Sequence, residues 1–566
     1  MACRLFNIFL LLVISNTISA QDITKFDWKK PIKVTGGFSI TNTFYQSEGM
    51  TARRDPWYWL VSGNANVQLF NVIAMPVSAQ WSQQNRSYTQ PFNHFGLSPT
   101  YKAWTVMAGY RSVNYSTYSV GGSQWLGGGV EYKPTSGPLS VSVLYGRFQK
   151  GVNQFVTDGI ISGTPAYERW VYAGKVAYSK NGRNIALQML RGKDDASTMD
   201  DSTALKAGLK PGMNFVWAIT SNQKLTKQLN WEVEYANSAY TEDHRTVSSD
   251  ISKHKYLNGL GSFYTTNTST HIDKAFNTSL TYSQRLYQLK FSYRRVDPGY
   301  KTMGSIFLNN DIEDISGGIT LKLFQQKVVT NLTGGVQRNN LDKKLTQEAV
   351  RNAMSASVQW MVSKKVNLNM QYSNFLASTK FNNLNVTANQ LNLLQNSDSL
   401  KYNQVTQNAS ANGVVQWGDS LVRKSVTSTL SWQQANDNKG VSSQFYSAIA
   451  GYTMSWIPSK WALTASVMST YNTVNDVKNQ LFGPGMTLSK GIAKIWRFSY
   501  NFTYATNLVD GNSTGHTLNN RLSCQYKPST HHTFSADAGW LYRKQNKIVV
   551  TNASEYRFNI VYGYVF

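Results

Sequence analysis

The last eleven residues of the chain alternate strictly between apolar and mostly polar side chains. Every second position from Tyr556 to Phe566 is aromatic or aliphatic, and Arg557, Asn559 and Gly563 lie between them. Successive side chains of a β-strand point to opposite faces, so the segment predicts a strand with one aromatic face and one largely polar face. Such a strand would aggregate at the edge of a water-soluble sheet, whereas an aromatic face against lipid is typical of a bacterial outer-membrane β-barrel. This terminal signal is carried by Tyr562, Tyr564 and Phe566.

The same alternation recurs along the chain, and no helical period is sustained from about Lys33 to Phe566. Residues 366–372 and 496–504, for example, place apolar side chains at every second position, which is typical of half-buried strands. Aromatic residues make up 13% of the chain, as expected if aromatic girdles mark both membrane interfaces. The sequence therefore predicts an all-β fold, a large single-chain transmembrane antiparallel β-barrel of roughly 22–26 strands.

The N-terminus predicts export. Arg4 precedes an apolar run over residues 5–14, and small and polar residues follow up to Ala20, which is the layout of a secretory signal peptide. We expect no plug domain before the barrel, because the strand pattern starts at about Lys33. The predicted organisation is a cleaved signal peptide at residues 1–20, a short periplasmic lead at 21–32 and the barrel at 33–566.

Short and long connections alternate between the predicted strands, and this orients the barrel. Outer-membrane barrels have short periplasmic turns and longer extracellular loops, so Phe566 marks the periplasmic end. The predicted short turns lie at 135–138, 180–183, 363–365 and 490–492, and the predicted long loops at 242–269, 380–402 and 508–515.

Near residues 88–130 the predicted strands no longer alternate up and down, and the count is off by one strand. Pro91 and Pro99 argue against a regular central strand there, and the apolar side chains of residues 88–101 exceed what a solvated loop needs. Two interpretations stay open: the segment folds into the lumen, where it would constrict the pore or dock a partner, or it forms a packed extracellular loop. Its candidate functional side chains are Phe92, Phe95, Leu97 and Tyr101.

Several short motifs in this region carry a resemblance to a known family. They are residues 53–56 (Arg-Arg-Asp-Pro), 90–102, 109–111 (Gly-Tyr-Arg) and 145–147 (Tyr-Gly-Arg). Over about residues 50–150 the chain resembles a widespread, porin-like group of outer-membrane β-barrels from the Bacteroidota. The resemblance implies an outer-membrane location and a barrel architecture, and it brings no catalytic motif with it.

The chain has a formal net charge of +26, which suits contact with anionic lipids or solutes. Basic residues on the polar faces of predicted strands would point into the lumen, because charges are costly on the lipid face. Rings of basic residues in a pore favour anions; the alternative is that these residues only pair with lumen carboxylates. The candidate pore-lining residues are Lys290, Arg294, Arg497, Arg521 and Arg557.

No catalytic, cofactor-binding or metal-binding residues are predicted. Ser513 lies in a G-x-S-x-G match at residues 511–515, but a hydrolase nucleophile sits on a strand-to-helix elbow, and turn chemistry explains this match. The seven histidines lack the spacing of a zinc site. We therefore expect a protein that is not an enzyme and that needs no cofactor.

The leading functional hypothesis is a porin-like channel of the Gram-negative outer membrane for small polar or anionic solutes. The alternative is a non-enzymatic barrel that anchors a larger outer-membrane complex and docks a partner through its loops or lumen. The expected partners are outer-membrane lipid and lipopolysaccharide, the barrel-assembly machinery during insertion, and in the alternative a protein partner. No nucleic-acid partner is expected, since the chain is predicted to be exported.

Overall fold

The computed structural model describes residues 29, 31–83, 92–153, 156–157, 160–161, 164–248, 257, 260–345, 347–381, 401–546 and 551–566. The predicted signal peptide, most of the predicted lead and residues 88–91 lie outside this range.

The described chain is built almost wholly of β-strands. The first ten are β1 (Ile32–Glu48), β2 (Trp57–Leu69), β3 (Ile73–Ser82), β4 (His94–Leu97), β5 (Thr100–Tyr101), β6 (Trp104–Asn114), β7 (Gly121–Tyr132), β8 (Leu139–Gln149), β9 (Val156–Thr157) and β10 (Ile160–Ile161). The next ten are β11 (Glu168–Lys180), β12 (Arg183–Asp195), β13 (Met213–Lys224), β14 (Leu229–Thr241), β15 (Thr270–Ser283), β16 (Tyr287–Val296), β17 (Ile312–Leu323), β18 (Val328–Arg338), β19 (Gln347–Ser363) and β20 (Val366–Phe381). The last nine are β21 (Lys401–Gly418), β22 (Val422–Asp437), β23 (Ser442–Trp456), β24 (Trp461–Val474), β25 (Val477–Ile492), β26 (Trp496–Val509), β27 (Asn512–Tyr526), β28 (His532–Gln545) and β29 (Thr551–Val565).

Within the described residues, helical structure is confined to the loops. The α-helix α1 (Asp201–Ala207) and the 3-10 turns Ala196–Thr198 and Gly261–Phe263 are all short. In the described part of the chain, no helix is long and apolar enough to cross a membrane.

The strands form one closed antiparallel barrel. Each wall strand pairs with the next along the chain, and β29 pairs with β1 from Gly37↔Val565 to Glu48↔Ser554. Strands β4 and β5 share one place between β3 and β6, while β9 and β10 form a separate small hairpin. The barrel therefore has 26 wall strands, which confirms the predicted fold class and lies within the predicted range.

Strand phase separates two faces, as the alternation predicts. The apolar residues of β29 face outward with Phe38 and Phe44 of β1, their partners in register. Aromatic rings on this outer face contact one another across strands, as in the Trp496–Tyr526 stack with centroids 4.1 Å apart. An apolar outer face with aromatic belts, short turns at one end and longer loops at the other is the architecture of an outer-membrane β-barrel.

Four of the predicted connections are confirmed and two are wrong, while the predicted long loop at 380–402 lies almost wholly outside the described residues. Residues 242–269 form a long loop between β14 and β15, and Asn181-Gly182 form a tight turn. The predicted long loop at 508–515 is wrong: β26 and β27 are joined by Asp510 and Gly511 alone, both with positive φ (49° and 81°), as a tight hairpin turn requires. The predicted turn at 490–492 is also wrong, because β25 continues to Ile492.

Candidate functional site: the lumen

Two loops from the long-loop end fold into the barrel. Inner loop A comprises residues 115–120 between β6 and β7, and inner loop B comprises residues 297–311 between β16 and β17. The two loops bind each other: the Tyr300 hydroxyl donates to the Tyr118 carbonyl oxygen at 2.6 Å, and the Thr302 hydroxyl donates to the Ser119 carbonyl oxygen at 2.8 Å. The lumen thus holds a packed element built from parts of the chain far apart in sequence.

Lumen-facing side chains of the wall hold these loops at mid-depth. Glu234 accepts a hydrogen bond from the Tyr118 amide at 3.2 Å, and Gln188 accepts one from the Ser119 hydroxyl at 2.8 Å. Both residues lie near the middle of their strands, β14 and β12. Asn214 of β13 accepts from the amide of Met303 at 3.0 Å. The inner loops therefore reach about halfway along the barrel axis.

The contact buries side chains as completely as a soluble core. Val120 and Trp125 are 0% exposed, and Tyr300 is 1% exposed. Burial raises the pKa of Tyr118 to about 12 and that of Tyr300 well above its usual value, so both hydroxyls stay neutral. Gly304 packs so closely on the Ser119 carbonyl that a Cβ would collide with it. We call the strands under this packing, β6 to β17, the covered arc.

A charged pair ties inner loop B to the wall at its upper end. The Lys301 ammonium lies 2.8 Å from a Glu242 carboxylate oxygen and 4.8 Å from the centroid of the Tyr240 ring. The hydrogen bond from Lys301 is the main cause that lowers the pKa of Glu242. His271 also contacts Glu242 at 3.4 Å. This latch is half-exposed to water, so it is accessible to titration.

The remaining wall is left uncovered. In strands β18 to β29 and β1 to β3, the open arc, the described non-glycine residues that are buried are Tyr45, Ser82 and Ala505. Strand registers place a sheet of small polar side chains on its inner face. They include Ser355, Ser373, Asn408, Ser410, Ser431, Ser447, Ser466, Thr487 and Asn501.

Positive charge exceeds negative charge on this inner face. Register and alternation place six arginines there against three carboxylates. The arginines are Arg351, Arg423, Arg497, Arg521, Arg543 and Arg557, and the carboxylates are Asp437, Asp537 and Glu555.

All five predicted pore-lining residues face the lumen, but they form no ring. Counted from the short-turn end, Arg497 is the second residue of β26, Lys290 the fourth of β16 and Arg521 the sixth of β27. Arg294 is the eighth of β16 and Arg557 the ninth of β29. At about 3.3 Å per residue, the five are staggered over roughly 23 Å along the strands. The predicted inward phase agrees with the registers, and the five residues are spread in depth rather than set at one level.

Only some of the five basic residues form ion pairs with carboxylates. Arg521 binds Asp537 at 2.6 Å, and Arg294 binds Asp314 through two hydrogen bonds. Arg557 donates to the Asn559 side chain at 3.2 Å. Within the described residues, neither Lys290 nor Arg497 has a carboxylate at ion-pair distance. The interpretation that these residues pair with lumen carboxylates therefore holds for Arg294 and Arg521, and a preference for anions stays a prediction.

The predicted segment around Phe92–Tyr101 lies in the barrel wall. Phe95 pairs with Ala79, Leu97 with Val77, and Tyr101 with Ile73 of β3, so all three side chains share the outward apolar face. Phe92 is exposed just before β4. An inward fold of these residues is therefore wrong, and so is a simple packed loop. The segment supplies the strand that the hairpin count lacked.

Arg111 explains how a proline-containing segment takes a place in the wall. Its guanidinium donates to the Leu97 carbonyl oxygen at 3.1 Å, the Pro76 carbonyl oxygen at 3.0 Å and the Ser78 hydroxyl at 3.3 Å. Pro99 has no backbone N–H to donate to the hydrogen-bond ladder between strands, and the strand is interrupted there. The arginine supplies hydrogen bonds across the break from the lumen side.

The terminal signal is where the sequence predicts it. Tyr562 and Tyr564 face outward and contact Phe38 of β1 with ring centroids 5.9 and 5.8 Å apart. The amide of Phe566 donates to the Gly36 carbonyl oxygen at 3.0 Å. The last strand therefore closes the barrel.

Sequence reasoning missed inner loops A and B. Tyr118, Tyr300 and Thr302 stand in short polar stretches that resemble ordinary loops. The available signals were weak: loop B carries Tyr300, Met303, Ile306, Phe307 and Leu308 within a connection between two strands.

Comparisons with known proteins find similarity only among solved structures, at low identity. No protein family and no curated protein matches it. Among solved structures, the P pilus usher (PapC) translocation pore is 10% identical with a TM-score of 0.33, and 94% of this chain and 99% of that chain are covered. The FrpB iron transporter from Neisseria meningitidis is 8% identical with a TM-score of 0.36, covering 97% and 83%. OccK10 (OpdN) of Pseudomonas aeruginosa is 8% identical with a TM-score of 0.34, covering 67% and 98%. TM-scores this low carry no argument about what the chain does.

Proposed function

We propose that this barrel is an outer-membrane channel whose conducting path runs along the open arc. The observation that carries the proposal is the contrast between the two halves of the lumen: inner loops A and B are packed on β6 to β17, while the inner face of β18 to β29 stays largely polar and uncovered. Water and small polar solutes pass along such a surface, because serine, threonine and asparagine side chains replace hydration contacts.

The size of the barrel supports a path beside the inner loops. With strands spaced by about 4.8 Å and tilted by about 40°, a circular barrel of 26 strands has a backbone diameter of about 50 Å. Barrels of about 16–18 strands already leave an aqueous channel. Loops that cover one arc therefore narrow this lumen without filling it.

The charge of the open arc supports a preference for anions. Its inner face carries six arginines and three carboxylates, and Arg497 has no ion-pair partner among the described residues. Basic residues along a pore raise the local concentration of anions. Small anionic solutes are thus the favoured cargo.

The test is conductance of the purified protein in planar bilayers under a KCl gradient. We expect discrete channels with a reversal potential that shows anion preference. The double variant Arg423→Gln/Arg497→Gln should lower this preference, and Lys478→Gln, which changes an exposed basic residue on the outer face, should leave it unchanged. Absence of channels, or cation preference in the parent protein, would overturn the proposal.

A second candidate function is docking of a protein partner in the lumen. Ile306 and Phe307 of inner loop B are 50% and 91% exposed, although the loop around them is packed. An exposed apolar pair on an element inside the barrel favours contact with another polypeptide. A stoichiometric partner that co-purifies in mild detergent and is lost with Ile306→Ser/Phe307→Ser would support this function; retention with the variant would count against it.

We also propose that the protein is exported by a cleaved signal peptide and belongs to the Bacteroidota group of barrels. The predicted signal peptide at residues 1–20 supports export, and the resemblance over residues 50–150 supports membership of the Bacteroidota barrel group. N-terminal sequencing of protein from the outer membrane should give a start at Gln21; a retained N-terminus would contradict the signal peptide.

A further inference from the structure

The outer face of the barrel changes from apolar to basic near the loop end of β12. Alternation along this strand places Ile185, Leu187 and Met189 outward, and they are 54%, 41% and 49% exposed. The next two outward residues are Arg191 and Lys193. Since charged side chains are destabilising in the hydrocarbon and tolerated near the interface, this change marks the boundary of the hydrocarbon layer.

Aromatic rings flank the two basic residues at the same level. Tyr172 is the register partner of Arg191, and Trp170 is the register partner of Lys193. Tyr145 of β8 stacks on both rings, with centroids 4.1 Å from Tyr172 and 5.2 Å from Trp170. Such rings form the girdle at a membrane interface, where lipid headgroups begin.

The guanidinium of Arg191 is held in place by a loop that folds back over the outer wall. Its Nε donates to the Phe263 carbonyl oxygen at 3.0 Å, and its centre lies 5.9 Å from the rings of both Tyr172 and Phe263. Residues beside Phe263 are anchored, since Tyr264 packs with Met213 and Phe215 in a buried cluster. Among the described residues, none accepts a hydrogen bond from the terminal nitrogens of Arg191.

The basic pair has no counter-ion among the described residues. Within the described residues, neither Arg191 nor Lys193 has a carboxylate at ion-pair distance. The two described carboxylates on the outer face of β11 and β12 are engaged elsewhere: Glu168 binds Arg147 at 3.1 Å and the Trp170 indole at 2.8 Å, and Asp195 accepts from the amide and hydroxyl of Ser197.

We propose that Arg191 and Lys193 bind the phosphate of a phosphorylated glycolipid in the outer leaflet. A guanidinium donates two parallel hydrogen bonds to a phosphate, and the ammonium adds a point charge. The acyl chains of the lipid lie on Leu187 and Met189 directly below. The site is on the outside of the barrel, so it is independent of any passage of solutes through the lumen.

The test uses the full-length barrel in maltoside detergent, with binding followed by native mass spectrometry. The probes are diphosphorylated lipid A, dephosphorylated lipid A and inorganic phosphate. We expect Arg191→Gln/Lys193→Gln to weaken binding of the diphosphorylated lipid about tenfold or more, and Arg191→Lys to weaken it less. The matched control Lys478→Gln, at the loop end of β25 on the outer face, should bind like the parent.

Heat-dependent gel mobility reports folding, and only folded variants are compared. Equal binding of phosphorylated and dephosphorylated lipid by the parent would overturn the proposal, because the phosphate would then contribute nothing. Unchanged affinity in the double variant would also overturn it. Inorganic phosphate that competes fully at equal concentration would show an anion site rather than a lipid site.

Discussion

The hydroxyl of Tyr300 donates a 2.6 Å hydrogen bond to the carbonyl oxygen of Tyr118, 182 residues away in the chain. This bond joins the two inner loops at the place where both side chains are almost fully buried. It holds the packed element that divides the lumen into a covered and an open arc.

Removal of this hydroxyl should loosen the inner loops. Tyr300→Phe leaves the Tyr118 carbonyl oxygen buried without its donor, which should lower the free energy of unfolding by about 1–2 kcal/mol. Urea titration followed by gel mobility checks this. Tyr556→Phe, on the outer face, is the control and should change it by less than about 0.5 kcal/mol. Equal effects would show that the bond does not hold the loops.

The latch between Lys301 and Glu242 should open in acid. Lys301 lowers the pKa of Glu242 below its usual 4.5, so the pair stabilises the folded state above that pH, and the contribution is lost as the pH falls through the lowered pKa. We expect current fluctuations in the parent protein to increase as the pH falls through the lowered pKa of Glu242. Glu242→Gln should fluctuate at neutral pH and lose this pH dependence, unlike Glu348→Gln. If the current fluctuations of the parent protein do not change in acid, the role of this ion pair as a latch is contradicted.

Arg111 should stabilise the broken strand in the wall. Arg111→Met removes hydrogen bonds to the Leu97 and Pro76 carbonyl oxygens and the Ser78 hydroxyl, and we expect a loss of about 2 kcal/mol in the free energy of unfolding. Arg497→Met, another lumen arginine, should cost less than about 0.5 kcal/mol. Chemical denaturation of both variants measures the difference, and similar losses would reject the role of Arg111.

The pair of Arg521 and Asp537 should tune selectivity in opposite directions. Asp537→Asn leaves the Arg521 charge uncompensated and should increase the anion preference, while Arg521→Gln should decrease it. Reversal potentials in a KCl gradient measure both. Unchanged reversal potentials in both variants would mean that the pair lies outside the conducting path, and shifts opposite to those expected would contradict its role.

The fold could be predicted from sequence because side-chain alternation is a local property. The outward position of Tyr562 and the inward positions of Arg521 and Arg557 follow from strand phase alone. The tight turn at Asp510-Gly511 was also within reach, since Asp-Gly between alternating segments is a strong hairpin signal.

The inner loops and the wall position of Leu97 could not be predicted in this way. Tyr118 and Tyr300 meet through contacts between distant loops, which no local pattern encodes. Pro99 argues correctly against a continuous strand, but the hydrogen bonds from Arg111 across the break depend on a residue in the neighbouring strand β6. Predicting either feature requires the strand register of the whole barrel.

The central claim is that solutes pass along the open arc and not through the covered one. The direct measurement places single cysteines at mid-depth in a Cys524→Ser background: Ser410→Cys on the open arc and Ala218→Cys, at a residue that is 0% exposed, on the covered arc. A negatively charged methanethiosulfonate reagent is added during bilayer recording. We predict that the current through the Ser410→Cys channel falls and that the current through the Ala218→Cys channel is unchanged. Block at Ala218→Cys with no effect at Ser410→Cys would contradict the account.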